Sequence, residues 1–114
     1  MSIQATHRDS GKVTVVDMSG RIALGDGSAL LRKLIRELLD ENRTLILLNL
    51  ADVNYIDSSG IGELVSAFTT TKNQGGELKL LKLTKKVNDL LQITKLYTVF
   101  DVKEDEAGAV KSFK

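Results

Sequence analysis

The run Leu45-Ile46-Leu47-Leu48-Asn49-Leu50 constrains this chain more than any other stretch. Its apolar residues are too closely spaced for one stripe of an amphipathic helix, and the run is too short for a buried helix. A short, nearly continuous apolar run reads as a β-strand covered on both faces, the situation of a strand inside a parallel sheet. The flanking segments agree. Before it, in GDGSALLRKLIRELLDEN, Leu31, Leu34, Ile35 and Leu38 fall at i, i+3, i+4 and i+7, one face of a helix. After it, Ile61, Leu64, Val65 and Phe68 return to helical spacing. Strands that alternate with helices predict crossover connections and parallel neighbours.

The remaining segments fit around this unit. Ile3 to Thr6 and Lys12 to Met18, separated by Arg8-Asp9-Ser10-Gly11, read as an N-terminal hairpin that Ser19-Gly20 closes. Asp26 or Ser28 can cap the first helix. Gly75-Gly76 stops the second, as a left-handed C-cap would. Glu77 to Leu83 reads as a strand, and Thr84 caps a short helix with Val87, Leu90 and Leu91 on one face. Val99 to Val102 reads as a last strand. Glu104 to Phe113 reads as a terminal helix, with acids in its first turn and Lys111 and Lys114 at the end that suits them. The order β-β-α-β-α-β-α-β-α predicts an α/β domain with a mixed, mainly parallel sheet, an N-terminal hairpin and about four helices. There is no proline, linker or internal repeat, so one domain over residues 1–114 is expected.

Composition narrows the function. Hydrophobic residues make up 42% of the chain and charged residues 27%, a globular balance. Sixteen basic and fifteen acidic residues leave a net charge of +1, with no overall field to draw the chain onto nucleic acid. Without cysteine there are no disulfides, thiolate metal sites or cysteine nucleophiles, and no metal or cofactor motif stands out. The N-terminus lacks the pattern of a signal peptide, and no apolar run approaches the roughly 18 residues of a membrane span. A cytoplasmic protein is expected. The Lys79, Lys82, Lys85 and Lys86 cluster reads as a solvated face, and Tyr55 and Phe68 as core or near-core.

The candidate functional site is Asp57-Ser58-Ser59-Gly60-Ile61-Gly62, where the buried strand, extended by Val53 to Ile56, gives way to the second helix. Loops at the carboxyl ends of parallel strands are the usual functional positions. Four readings compete. Asp57 and Ser58 suit a structural helix cap, with Gly60 and Gly62 allowing close packing. Yet a cap needs one polar residue, and each glycine costs about 1 kcal/mol inside a helix. A serine nucleophile would need the G-x-S-x-G elbow and a base; the elbow is absent and the only histidine is His7, beside the hairpin. An anion site at the helix start would need cations, but no Lys or Arg lies between Arg43 and Lys72, and no phosphate-binding glycine loop is present. A covalent switch fits better. Phosphate on a serine at a helix N-terminus sits on the favourable end of the dipole, yet without a local cation it would repel a docked partner.

The stretch NLADVNYIDSSGIGELVSAF resembles the signature of the STAS domain, as found in bacterial anti-sigma factor antagonists, and the element order is similar along the whole chain. The resemblance implies a non-enzymatic regulator of transcription that works by partner switching. Unmodified, such an antagonist binds an anti-sigma factor that is itself a serine kinase; phosphorylated, it releases that partner, and a PP2C-like phosphatase restores it. Carried onto this chain, the phosphoacceptor is Ser58, with Ser59 as the fallback. Asp57 caps the helix and shapes the site, and Ser58, Ser59, Gly60, Ile61 and Gly62 form the docking surface. Neither membrane nor nucleic acid is a direct partner, no cofactor is called for, and the chain is a monomer or weak dimer. Gly20-Arg21-Ile22-Ala23 departs from a G-x-[IL]-D pattern by placing alanine at the acid, with Asp26 three residues later. That departure keeps open a constitutive scaffold in a sensory or transport complex, whose serine is never modified.

Overall fold

The computed structural model describes residues 3–113. Ten elements follow in order: β1 (Gln4–Ser10), β2 (Val13–Ile22), α1 (Asp26–Asp40), β3 (Leu45–Ile56), α2 (Ser58–Asn73), β4 (Glu77–Leu81), α3 (Lys85–Ile93), a 3-10 turn (Leu96–Thr98), β5 (Val102–Lys103) and α4 (Glu106–Lys111). The strands lie in the order in which they occur in the chain. β1 and β2 pair antiparallel, and the other three pairings are parallel. The α/β class, the hairpin and the mainly parallel sheet are borne out.

The apolar run explains this arrangement. Ile46, Leu47, Leu48 and Leu50 are fully buried because β3 is the middle strand, with β2 on one side and β4 on the other. Ile46, Leu48 and Leu50 join Val16, Met18, Leu78 and Leu80 in a core roofed by α1, α2 and α3. On the other face Leu47 meets Val13, Val15 and Leu81 beneath Ala109 and Phe113. Full burial of each such side chain contributes about 1.5 to 3 kcal/mol.

Several boundaries differ from the sequence reading, each for a physical reason. β1 continues to Ser10, leaving a two-residue turn in which Gly11 has φ +63°. β2 does not close at Ser19-Gly20 but runs to Ile22, because β3 extends alongside it and two irregularities in register absorb the mismatch. Neither Asp26 nor Ser28 caps α1; Gly25, at φ 96°, takes that position and the helix start has no side-chain cap. Thr84 is the N-cap residue of α3 as expected, but its hydroxyl donates to the Val53 carbonyl at 2.8 Å, tying the helix to β3, and accepts no N–H of the helix. β4 stops at Leu81, and Lys82 adopts φ 55°. The expected strand at Val99 to Val102 shrinks to β5, since Phe100 turns inward and packs against Phe68 with the two rings nearly perpendicular and their centres 5.7 Å apart. α4 starts later than Glu104, where the Asp105 carboxylate accepts the Gly108 N–H at 2.7 Å. Lys111 occupies its last turn as expected, while Lys114 lies outside the described residues.

The lysine cluster is not one solvated face. Lys79 sits in β4 with its side chain 11% exposed, beneath the C-terminal segment. Its ammonium donates to the Ser112 carbonyl and hydroxyl, both at 2.9 Å, pairs with Asp101 at 3.2 Å and lies 4.9 Å from the centre of the Phe113 ring. At the other end of α4, Arg8 bridges Asp17 and Glu106 at 2.7 Å each, so the helix is pinned to the hairpin as well. Lys79→Ala therefore costs about 2 to 3 kcal/mol in urea unfolding, because it removes charged hydrogen bonds and leaves part-buried acceptors at Ser112 without their donor. Lys86→Ala, at an exposed position, changes it by less than about 0.5 kcal/mol.

Candidate functional site at the serine turn

The site begins where β2 and β3 end side by side, with Ile22 opposite Ile56. The Asp57 N–H donates to the Ile22 carbonyl at 3.3 Å and closes that pairing. Asp57 itself has extended backbone, φ −111° and ψ −174°, and is the N-cap of α2. One carboxylate oxygen accepts the Gly60 N–H at 2.9 Å; the other accepts the Leu24 N–H at 3.0 Å. The expected cap is present, and it does a second task by fastening the β2–α1 loop to the start of α2. Hydrogen bonds from Gly60 and then Leu24 hold the Asp57 carboxyl below the ordinary carboxylate range.

The two glycines of the turn have different reasons. A methyl group at Gly60 would strike the Ile22 carbonyl oxygen and come within 2.6 Å of the Ile56 side chain. At Gly62 it would meet nothing within 4 Å. Gly60 thus lets α2 rest directly on the backbone of β2, while Gly62 leaves bare helix facing solvent. Gly27, which the sequence reading did not single out, does the same for α1, where a methyl would lie 2.5 Å from the Arg21 carbonyl oxygen. Its only sequence signal was a second glycine in the G-D-G loop.

The motif residues therefore point in two directions. Ser58, the first residue of α2, is exposed, as is Gly62 one turn later. Ser59 is partly buried, and Gly60 and Ile61 are buried against the protein's own body. Two further residues surround the turn. Leu24 is 80% exposed although its backbone is held by Asp57, and Arg32 of α1 pairs with Glu63 of α2 at 2.5 Å. A cation does reach α2 from elsewhere in the fold, but it is already engaged by an acid. Ala23, partly buried, accepts the Ser28 N–H through its carbonyl at 3.0 Å and brings no charge to the loop. His7 lies exposed on β1, a strand separated from β3 by β2. Among the described residues no group of three or more His, Asp or Glu side chains could hold a metal ion. No helix among them is long and apolar enough to cross a membrane.

Comparisons with known proteins agree with this fold. The model of the STAS domain family matches residues 3–109. An anti-sigma-B factor antagonist from Bacillus subtilis is 32% identical over 111 residues, covering 97% of this chain and all of the relative. The crystal structure of an anti-sigma factor antagonist from Mycobacterium paratuberculosis superimposes with a TM-score of 0.86 at 19% identity, covering 98% of this chain and 94% of that one. The Bacillus cell fate determinant SpoIIAA, solved in its phosphorylated form, gives 0.72 at 18% identity, with 96% and 97% covered. At those identities the two structures bear on the fold alone.

Opposite outcomes are expected for the two glycines. Gly60→Ala lowers stability by about 2 kcal/mol or more through overpacking against backbone. Gly62→Ala raises it by about 0.5 to 1 kcal/mol through helix propensity. Urea denaturation of both variants checks this. The Asp57 cap also titrates. Because its folded carboxyl is held low, its contribution is complete above the unfolded value of about 4 and is lost as pH falls through the folded one. Asp57→Asn keeps the Gly60 cap, gives up the Leu24 bond and does not titrate, so the stability advantage of the wild-type protein over Asp57→Asn should shrink as pH falls below about 4 in thermal melts.

Proposed function

The chain belongs to the STAS domain family, alongside its anti-sigma factor antagonists, and on that premise we propose that it switches partners through phosphorylation of Ser58. In the unmodified state it binds a kinase-type anti-sigma factor and thereby releases a sigma factor for transcription. Phosphorylated, it lets that partner go, and a PP2C-like phosphatase resets it. It performs no catalysis, requires no cofactor or metal, and acts in the cytoplasm as a monomer or weak dimer.

The observation that carries this reading is the exposure of Ser58 at the first residue of a helix already capped by Asp57. A kinase reaches such a hydroxyl without unfolding anything. The new charge, about −1.5 to −2, sits on the favourable end of the helix dipole, so the modified protein stays folded. Ser59 is the poorer acceptor because it is partly buried and lies one helical turn before Glu63, whose carboxylate would face the added phosphate. The phosphorylated form of SpoIIAA, a protein of the same fold, supports the idea that this architecture tolerates the modification.

A partner that contacts Ser58 also meets Gly62 and Leu24, exposed positions of the turn and its adjoining loop. Gly60 and Ile61 support this surface from below. Phosphate arriving in such an interface brings desolvation and like-charge costs; about 3 kcal/mol weakens binding roughly a hundredfold.

Incubation with the kinase-type anti-sigma factor and ATP should add one phosphoryl group by intact-mass measurement. Ser58→Ala should abolish the addition and Ser59→Ala should leave it. Ser58→Asp should weaken partner binding by about a hundredfold. Unchanged binding by Ser58→Asp, with no mass gain in the wild-type chain, would favour the constitutive scaffold that Ala23 leaves open.

A further inference from the structure

The carboxyl edge of the sheet carries a second feature next to the serine turn. Arg21 at the end of β2, Asn54 and Tyr55 at the end of β3, and Thr84, Lys85 and Lys86 at the start of α3 line a cleft of about 420 Å3. The Arg21 guanidinium stacks on the Tyr55 ring, 4.1 Å from its centre. Stacking holds the planar group in place without consuming its N–H donors. Neither Arg21 nor Lys86 has a carboxylate partner among the described residues, and Lys85 pairs only with Asp89 of its own helix, at 2.8 Å. No acid lines the cleft. Arg8, Arg32 and Arg43, by contrast, each bind an acid across the fold, while Arg36, exposed on α1, lies outside this cleft.

Cations gathered around a concave surface without counter-charge favour an anion there. The cleft is open to solvent along one side, and a small ligand usually needs most of its surface enclosed. A chain laid across the cleft satisfies both conditions. Resting on the partner-switching reading, we propose that this cleft receives an acidic segment of the partner protein, which is thus held at two adjoining points, the serine turn and the basic cleft. Ser58 follows Tyr55 by three residues, at most about 11 Å of extended chain, somewhat beyond the roughly 8 Å Debye length at physiological salt, so the two charges feel each other through partial screening. A phosphate on Ser58 therefore repels the same acidic segment that Arg21 and Lys86 attract. The charge balance of the switch is set between the turn and the cleft.

A heptaglutamate peptide, titrated into the unmodified protein and followed by backbone amide NMR, tests this. Shifts are expected at Tyr55, Lys85 and Lys86, and should fade as salt rises from about 50 to about 300 mM. The Arg21→Gln/Lys86→Gln variant, with both changes at exposed positions, should bind at least about tenfold more weakly. Ser58→Asp should bind about threefold more weakly. The proposal is overturned if those amides stay still, if exposed lysines elsewhere such as Lys33 and Lys111 shift equally, or if inorganic phosphate or a short oligothymidylate occupies the cleft more tightly than the peptide. The titration needs no kinase. A Ser58 that is never phosphorylated would leave its result standing, and a failed titration would leave the Ser58 switch untouched.

Discussion

The seating of two helices on the last residues of β2 sets the rest of the molecule. Arg21 and Ile22 offer bare backbone, and α1 and α2 come down on it through Gly27 and Gly60, at positions where a methyl group would collide. This double contact brings the starts of both helices to one end of the sheet and brings the β2–α1 loop within reach of Asp57. The Asp57 carboxylate then joins loop and helix with one oxygen each. The exposed Ser58 and Gly62 on α2 and Leu24 on the loop are placed by that pair of glycines and one carboxylate. A rigid mount of this kind suits a surface read by another protein, because little ordering entropy is left to lose on docking.

Much of this was legible in the amino-acid pattern. The aliphatic run of β3 and the helical spacing on either side of it reported the parallel sheet, since full burial on both faces leaves no room for polar alternation. The D-S-S-G-I-G turn was visible for a similar reason, since two glycines at a helix start break propensity and demand an explanation. Which glycine did what was not legible. Gly60 answers to Ile22, which precedes it by 38 positions, and Gly62 answers to nothing among the described residues. Composition carries no record of such distant steric partners. Lys79 was misread for the same reason. Its neighbours Lys82, Lys85 and Lys86 are exposed, but strand alternation turns Lys79 under a C-terminal segment whose position only the folded chain reveals.

The short C-terminal elements were the least legible. β5 has two residues and α4 six, too few for either periodicity to register. Their stability comes from tertiary anchors: the Lys79 ammonium with Ser112, the Arg8 bridge to Glu106, and the Ala109 and Phe113 side chains over Val13, Val15, Leu47 and Leu81. Local sequence contributes little beyond the Asp105 cap. Such segments follow the sheet they cover.

Charge ties the site to its surroundings. The chain is nearly neutral overall, yet its cations are distributed by role. Arg8 and Lys79 hold α4, Arg43 pairs with Asp9 and Glu41, and Arg32 is held by Glu63 beside the turn. Around Ser58 that leaves a helix start without a free cation of its own, flanked by a cleft whose Arg21 and Lys86 remain uncompensated. A covalent phosphate at Ser58 thus meets no dedicated cradle that would neutralise it within the turn. Its field falls instead on whatever sits over the turn and the cleft. Strong local pairing would mute the proposed modification, whereas the absence of pairing at Ser58 would leave the added charge to act on the proposed partner. On this geometry the proposed switch would work because the surroundings of Ser58 hold phosphate poorly, not because they hold it tightly.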